Sequence, residues 1–199
     1  MIKSLYPEYT YNVMVIGDSD VGKTSILSRI NKDYVEYPSS TIGIDFVSTN
    51  IFTKNTYNKL HIWDSSGNQI FKSLTIPYYK NCHAFIIVYN LNLYESFKNC
   101  QYWINEIYQN SSKNVHISII GNKSDLECNI PEKDINDFCK EHKLKHHTKI
   151  SSKKSTDTEI HNIFLNIINN ISIPKNIHTK ISSKKSVKNT PIDKCCIII

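Results

Sequence analysis

A short glycine-containing motif near the start of the chain constrains its fold more than any other feature. The apolar run Tyr11–Ile16 leads directly into GDSDVGKT, residues Gly17–Thr24, and apolar residues at helical spacing follow from Ile26 onwards. Glycine lets such a loop curl closely around an anion, and the amides at the start of the helix supply its hydrogen bonds. Lys23 can reach the outer phosphates, and the Thr24 hydroxyl can bind magnesium. A chance Gly-Lys-Thr turn is the alternative, but the flanking strand and helix favour a phosphate-binding loop.

Short apolar runs alternate with stretches of helical spacing along the rest of the chain. The runs predicted as buried strands are Tyr11–Ile16, Lys59–Trp63, Ala84–Tyr89, Val115–Ile120 and Leu144–Ile150. Helices are predicted around Ile26–Ile30, Phe97–Tyr108, Asp134–Cys139 and Ile160–Ile168. Near-continuous Val and Ile runs are typical of strands covered on both faces, and their alternation with helices indicates βαβ units. The sequence therefore predicts an α/β fold with a mostly parallel sheet.

Two neighbouring segments indicate that one edge of the sheet is antiparallel. Gly43–Thr53 and Tyr57–Trp63 are separated only by Lys54-Asn55-Thr56, so they are expected to pair as an antiparallel hairpin. The full expectation is a six-stranded sheet with one antiparallel edge strand and about five helices on both faces. We expect residues 1–10 to be an N-terminal extension, residues 11–171 one domain, and residues 172–199 a flexible basic tail.

The positive charge of the chain is concentrated in the predicted tail. The net charge is +6, and the segment Pro174–Lys194 contains six lysines and one aspartate, Asp193. A basic cluster of this kind favours an anionic membrane surface over nucleic acid as the partner. The N-terminus has no apolar signal region, and no run has the length of a transmembrane helix, so we expect a cytosolic protein.

The six cysteines fall into two groups. Cys82, Cys100, Cys128 and Cys139 are scattered without metal-ligand spacing, and we interpret them as reduced thiols. Cys195 and Cys196 instead precede three terminal isoleucines, and a flexible tail has no packing reason to end in this way. The ending predicts lipidation of both cysteines. The alternatives are two unmodified thiols, or modification of Cys196 alone.

A second motif indicates which base the phosphate loop would serve. Asn122-Lys123-Ser124-Asp125 follows the predicted strand Val115–Ile120. The Asp125 carboxylate can accept hydrogen bonds from N1–H and the exocyclic amine of guanine, whereas adenine has an acceptor at N1 and no 2-amino group. The Lys123 stem can lie over the base, and Asn122 can tie neighbouring loops together. At this distance from a phosphate loop, the motif predicts a guanine nucleotide.

Three further polar segments complete the predicted site. Within Trp63–Gly67, Asp64 can hold magnesium through water, and Gly67 can offer its N–H to a terminal phosphate. Thr41 is placed to complete the magnesium shell when a third phosphate is present, and Ser151–Lys153 can close over guanine O6 with backbone amides. Each segment alone could be a polar loop without a role, but most of them follow a strand, at the edge where open α/β sheets bind ligands. The predicted nucleotide contacts are Asp18, Ser19, Asp20, Val21, Gly22, Lys23, Thr24, Ser25, Thr41, Gly67, Asn122, Lys123, Asp125, Ser151, Ser152 and Lys153, with Thr24, Thr41 and Asp64 as magnesium ligands.

With these motifs, the chain resembles the Ras superfamily and, within it, the Rab family, over roughly Tyr11–Ile171. Five segments carry the similarity: Ile42–Phe46 (IGIDF), Lys59–Trp63, Phe71–Thr75, Tyr78–Cys82 and Ile87–Asn92. The Cys195-Cys196 ending resembles a Rab double-prenylation signal. The resemblance implies a phosphate-loop G domain that binds GTP and GDP with Mg²⁺ and hydrolyses GTP, with Lys23, Thr41 and the residue at position 68 acting in the reaction.

The resemblance also implies a biological role and a set of partners. A Rab-type protein is a switch in vesicle-mediated membrane traffic, whose GTP form recruits effectors to a membrane. An exchange factor, a GTPase-activating protein, an escort protein and a dissociation inhibitor would act on it. We therefore expect a prenylated monomer at the cytosolic face of an intracellular membrane, cycling with the cytosol and binding no nucleic acid.

Two positions depart from the pattern of that family. The glutamine that usually orients the attacking water is replaced by Asn68, which is one methylene shorter and is followed by Gln69-Ile70. In the phosphate loop, Asp20 stands where glycine is usual, and its carboxylate would add repulsion near the phosphates. Because phosphoryl transfer depends on positioning, slow intrinsic hydrolysis and looser nucleotide binding are expected. The alternative is that neighbouring residues compensate.

Two competing hypotheses remain open from the sequence. The first is a guanine-nucleotide-binding scaffold with negligible GTP hydrolysis. The second, a phosphate-loop kinase, would need an arginine-rich lid, whereas the chain has one arginine, Arg29, in the first helix, where a surface or packing role is expected. Tyr34 or Tyr37 could stack on the nucleotide or could be ordinary loop aromatics.

Overall fold

The computed structural model describes residues 7, 9–31, 34–35, 38–53, 56–112, 114–144 and 146–171. Its strands are β1 (Tyr9–Ile16), β2 (Ile44–Thr53), β3 (Thr56–Ser65), β4 (Ala84–Asn90), β5 (His116–Asn122) and β6 (His147–Lys149). Its helices are α1 (Lys23–Ile30), α2 (Lys72–Tyr79), α3 (Tyr94–Lys98), α4 (Cys100–Asn110), α5 (Glu132–Glu141) and α6 (Asp157–Asn170). A 3₁₀ turn, Gln69–Phe71, precedes α2.

The strands form one six-stranded sheet in the order β2-β3-β1-β4-β5-β6. β1 pairs in parallel with β3 and with β4, β4 with β5, and β5 with β6, whereas β2 pairs antiparallel with β3. The predicted α/β class and the antiparallel edge hairpin are confirmed. The chain passes from β1 to β2 and β3 on one side of β1, and after β3 it crosses to β4 on the other side. The carboxyl ends of β1, β3 and β4 therefore border a crevice.

Two apolar layers cover the sheet, one on each face. Along β1, Val13 and Val15 point to the layer formed with α1 and α6, whereas Met14 and Ile16 point to the layer formed with α4 and α5. These four side chains are fully buried. The alternation follows from the two-residue period of a strand, and burial on both faces explains the continuous apolar runs.

Helices α3 and α4 correspond to the single helix predicted around Phe97–Tyr108. Backbone hydrogen bonds run through their junction, from Asn99 N–H to the Glu95 carbonyl and from Trp103 N–H to the Asn99 carbonyl, at 3.0 and 3.1 Å. The two are therefore one nearly continuous helix, and the predicted number of about five helices holds. The apolar spacing gave no separate prediction for α2, because Pro77 interrupts that short segment.

The last strand is shorter than the predicted segment Leu144–Ile150. Lys143 has a positive φ of 54°, and the Leu144 N–H donates to the Cys139 carbonyl at 2.8 Å. This geometry is the left-handed cap that ends α5. Leu144 therefore belongs to the end of the helix, and extended pairing starts only at His147.

Cys82, Cys100, Cys128 and Cys139 are free thiols in the structure. Within the ranges described above, the helices include none with the length and apolar character needed to cross a bilayer. The predicted tail, including Cys195 and Cys196, lies outside the described residues, as does Tyr37.

Candidate functional site

A cleft of about 550 Å³ opens at the carboxyl ends of the strands. The loops after β1, β3 and β5 border it, together with the loop after β6 and the segment that leads to β2. The predicted site residues that line the cleft are Ser19, Asp20, Gly22, Lys23, Thr24, Ser25, Thr41, Gly67, Asn68, Lys123, Asp125, Ser152 and Lys153. Four other predicted residues support it from behind and are buried: Val21, Asp64, Asn122 and Ser151. The half-buried Asp18 turns its carboxylate towards α3 and α4.

The loop between β1 and α1 has the strained backbone that its sequence predicts. Gly22 has φ 95°, and a Cβ built there would lie 2.2 Å from Nδ2 of Asn122, so no larger residue fits. Asp20 has φ 60°, a left-handed conformation that is uncommon for residues other than glycine. The aspartate that replaces the usual glycine therefore lies at a position whose backbone conformation favours glycine.

Lys23 is buried at the first position of α1. Its Nζ donates to the carbonyls of Gly17 and Asp18 at 3.0 and 2.6 Å. Burial lowers the pKa of Lys23 to about 8, although the nearby carboxylates of Asp64, Asp18 and Asp20 oppose that shift. The ammonium is thus held by two backbone carbonyls beneath the loop, where phosphate oxygens could stabilise its charge.

The three predicted magnesium ligands meet at one point of the cleft. The Thr24 hydroxyl donates to Oδ2 of Asp64 at 2.5 Å, the Thr41 hydroxyl donates to the same oxygen at 3.3 Å, and the two hydroxyl oxygens are 3.0 Å apart. Oδ1 of Asp64 is buried and has no hydrogen-bond partner among the described residues. Burial raises the pKa of Asp64. One buried carboxylate with a free oxygen beside two hydroxyls suits Mg²⁺, which binds proteins through few carboxylates and keeps other oxygen ligands.

The loop after β3 approaches the phosphate loop without intervening side chains. A Cβ built on Gly67 would lie 2.3 Å from the Ser19 nitrogen and 2.3 Å from the Asp18 carbonyl carbon. The next residue, Asn68, is exposed at the rim of the cleft, and its Oδ1 accepts a hydrogen bond of 3.0 Å from the Ile70 N–H. Asn68 therefore caps the 3₁₀ turn, and this local bond keeps its side-chain oxygen close to its own backbone.

The loops after β5 and β6 form the opposite end of the cleft. Asn122 Nδ2 donates to the Val21 carbonyl at 2.8 Å, and its Oδ1 accepts from the Ser152 N–H at 2.9 Å, so this side chain joins three loops. The Ser151 hydroxyl donates to Oδ1 of Asp125 at 2.5 Å, and this bond lowers the pKa of Asp125. Asp125 is thus held as an ionised acceptor at the cleft surface.

Arg29 has a packing role, as expected from the sequence, and its contacts lie beside the cleft. Its Nε and Nη2 donate to the carbonyls of Ser152 and Lys153 at 2.9 and 2.7 Å, and Nη1 lies 3.4 Å from Asp157. Its guanidinium carbon stands 3.9 Å from the ring centroid of Tyr34, which also lines the cleft. Arg29 therefore joins the loop after β6 to the segment that leads to Thr41. Its partners in that loop are 123 and 124 positions away, so no local pattern marks the contact.

Comparisons with known proteins agree with this geometry. The sequence profile of the Ras family matches residues 12–173. Similar curated proteins include GTP-binding protein YPTM2 of Zea mays, 43% identical over 126 residues, which are 62% of each chain. Ras-related protein RABD2a of Arabidopsis thaliana is 44% identical over 123 residues, 60% of this chain and 61% of the relative. Ras-related protein RIC1 of Oryza sativa subsp. japonica is 42% identical over 123 residues, again 60% and 61%. The aligned part of the chain thus spans less than two thirds of these relatives.

Proposed function

The chain belongs to the Ras family, as its motifs predicted, and from that membership we propose that it is a small GTPase of the Rab type. In this proposal the protein binds GTP and GDP with Mg²⁺, hydrolyses GTP slowly, and regulates vesicle-mediated membrane traffic through the difference between its two nucleotide states. The observation that carries the proposal is the single cleft that joins the phosphate loop, the Thr24–Thr41–Asp64 cluster and Asp125.

The proposed selectivity for guanine depends on Asp125. Its ionised carboxylate can accept hydrogen bonds from two guanine N–H groups, and adenine would leave it facing an acceptor. The Ser151 hydroxyl orients the carboxylate, and the backbone amide of Lys153 lies in the same loop, where it can meet the guanine O6. Arg29 supports this loop through the carbonyls of Ser152 and Lys153.

The proposed magnesium ligands are the hydroxyls of Thr24 and Thr41, with Asp64 holding the ion through water. A bound Mg²⁺ would neutralise phosphate charge as the bond to the terminal phosphate breaks. Thr41 belongs to the segment before β2, whereas Thr24 opens α1 and Asp64 ends β3. A ligand that needs both threonines would therefore order the Thr41 segment, which supports a conformational difference between the GTP and GDP forms.

In the proposed reaction, water adds to the terminal phosphorus and the bond to the bridging oxygen breaks, which gives GDP and inorganic phosphate. Lys23 supplies a positive charge for the phosphate oxygens, and the Gly67 amide can donate to the terminal phosphate. Asn68 would have to orient the water, but its side-chain oxygen is engaged by the Ile70 N–H. This local bond, together with the short side chain, supports slow hydrolysis.

A guanine-nucleotide-binding scaffold with negligible hydrolysis is the competing function, and the capped Asn68 is the observation that favours it. A single-turnover assay with preloaded GTP separates the two. We expect phosphate release that is slow but clearly faster than GTP hydrolysis without protein, and that is lost in Lys23→Ala under conditions where nucleotide is still bound. Bound GTP that stays intact would favour the scaffold, and the absence of any guanine nucleotide binding would refute both.

We further propose that effectors bind the GTP form at an apolar surface beside the cleft. Ile42, Phe46, Ile70 and Leu74 are exposed apolar residues on the segments that flank Thr41 and Asn68. Exposed apolar patches of this kind mark sites of protein association. The other proposed partners are an exchange factor, a GTPase-activating protein, an escort protein and a dissociation inhibitor, which family membership supports.

We also propose that the tail anchors the protein to the cytosolic face of an intracellular membrane through prenyl groups on Cys195 and Cys196. Two chains give stable attachment where one short chain is reversible, and each nearby lysine adds about 1 kcal/mol at an anionic surface. Changing both cysteines to serine should move the protein to the soluble fraction while GDP binding stays unchanged. Intact-mass analysis of protein from its native cells would count the lipids, and an unmodified mass would refute the anchor.

A further inference from the structure

The carboxylate of Asp18 lies in the phosphate loop, yet both of its oxygens are held by a distant helix. Oδ1 accepts a hydrogen bond of 2.8 Å from the indole Nε1–H of Trp103. Oδ2 accepts a hydrogen bond of 2.8 Å from the amide Nδ2 of Asn99. Hydrogen bonds to an ionised acceptor are stronger than those between neutral groups, so this pair fixes the direction of the side chain.

The two donors are arranged as a unit. Asn99 and Trp103 are four residues apart on the helix formed by α3 and α4, so their side chains share one face. Trp103 is buried, and the Trp103 N–H donates to the Asn99 carbonyl at 3.1 Å. The donors therefore reach Asp18 from a rigid support rather than from another loop.

The backbone of Asp18 touches two groups of the proposed nucleotide site. Its carbonyl accepts the hydrogen bond from Lys23 Nζ, and its carbonyl carbon and oxygen lie directly against Gly67. A rotation of the Asp18 peptide would therefore displace both the ammonium and the loop after β3. Loss of the two donors would also leave the Asp18 carboxylate free to turn towards the cleft, where Asp20 already stands.

We propose that Trp103 and Asn99 are positioning residues for the phosphate loop, and that by holding both oxygens of Asp18 they slow the release of bound guanine nucleotide. Neither residue touches the nucleotide in this scheme, since both act through Asp18. The inference rests on the proposed nucleotide binding, and it adds a support that lies outside the motifs of the site.

The test measures the release rate of GDP that carries a fluorescent N-methylanthraniloyl group. Trp103→Phe keeps an aromatic ring but loses the indole N–H donor, and Asn99→Ala loses the amide. Each variant should release GDP about tenfold faster, the effect of losing one hydrogen bond to a charged group. The matched control is Glu106→Gln, on the same helix, whose carboxylate pairs with Lys72 at 2.7 Å and not with the loop. The control should release GDP at the wild-type rate.

A double-mutant cycle separates positioning from general loosening of the helix. In an Asp18→Ala background the acceptor is gone, so Trp103→Phe and Asn99→Ala should add little further acceleration. Additive effects, or wild-type release in both single variants, would overturn the inference. If Trp103→Phe does not fold, Asn99→Ala at its half-buried position decides the question.

A third measurement does not need nucleotide. The chain has two tryptophans, so its NMR spectrum contains two indole N–H resonances. The resonance that disappears in Trp103→Phe is the one from Trp103. Loss of the charged acceptor in Asp18→Ala should move that resonance upfield, and an unmoved resonance would overturn the contact. If the wild-type protein binds no GDP, the proposed function is refuted. If the wild-type protein binds GDP but the variants release it at the wild-type rate, only this inference is refuted.

Discussion

The Ser151 hydroxyl donates a hydrogen bond of 2.5 Å to Oδ1 of Asp125, across 26 positions of the chain. The bond joins the loop after β6 to the loop after β5 and lowers the pKa of the Asp125 carboxyl. The acceptor that would select the base therefore stays ionised at neutral pH and has a fixed direction. In the proposed function, base selectivity would therefore depend on this pair of loops rather than on the Asp125 motif alone.

Replacing that carboxylate by an amide should exchange one base for another. Asp125→Asn should weaken GDP binding by about a hundredfold or more, because two hydrogen bonds from guanine lose a charged acceptor. The same variant should gain affinity for xanthosine diphosphate, since the amide can donate to the additional carbonyl oxygen. Fluorescence titrations with both nucleotides measure the change, with Asp137→Asn on the exposed side of α5 as control. Unchanged GDP affinity in Asp125→Asn would contradict the assignment.

Thr24→Asn should weaken GTP binding more than GDP binding, by about tenfold or more, as expected when a metal ligand is replaced. An amide at this position can still pair with Oδ2 of Asp64 but brings no hydroxyl beside Thr41. Thr24→Ser keeps the hydroxyl and serves as control. Affinities measured with Mg²⁺ and with EDTA should converge in the Asn variant, and a preserved response to Mg²⁺ would place the ion elsewhere.

The buried ammonium predicts a pH dependence of binding. With a pKa of about 8, Lys23 is charged below pH 8 and becomes neutral above it, whereas phosphate bound beside it favours the charged form. GDP affinity should therefore be highest below pH 8 and fall by up to about tenfold per pH unit above it. Titrations between pH 7 and 10 measure the profile. Lys23→Arg stays charged over that range, so its profile should be flatter even if its affinity is lower. Parallel profiles for the two proteins would assign the pH dependence to another group.

Asn68→Gln should speed single-turnover GTP hydrolysis by about tenfold, the scale on which small misplacements of a reacting group act. The longer side chain caps the Ile70 N–H less well and places its amide further towards the cleft. Asn68→Ala is the control, because it also removes the cap but supplies no amide, and it should show no gain. An equal acceleration in both variants would mean that release of the 3₁₀ turn, rather than side-chain length, limits the rate.

Arg29→Lys should release GDP about tenfold faster, because a lysine cannot bind two carbonyls and stack on Tyr34 at the same time. Asp157→Asn removes the outer ion pair, whose carboxylate is 46% exposed, and should have little effect. Stopped-flow release of fluorescent GDP compares the two. A larger effect from Asp157→Asn would show that the ion pair, not the hold on the loop after β6, carries the role of Arg29.

The parts of the site that the sequence predicted are contiguous motifs next to strands. The phosphate loop and the loops containing Asp64 and Asp125 could be placed because parallel strands bring their carboxyl ends to one edge. The contacts of Arg29 with Ser152, and of Trp103 with Asp18, join residues 123 and 85 positions apart and have no local signature. The predicted start of the last strand, at Leu144, was wrong for a different reason. The Leu144 N–H takes part in the cap of α5, and extended pairing begins only at His147.

The contact between Gly67 and the backbone of Asp18 and Ser19 has a consequence for how the site can evolve. The gap between these two loops is set by main-chain atoms alone, because no side chain lies between them. Changes at Asp20 and Asn68, on either side of that contact, can therefore alter charge and reach without altering the spacing of the loops. Substitutions at these two positions can therefore change the chemistry of the cleft while its dimensions stay the same, whereas any side chain at position 67 would change those dimensions.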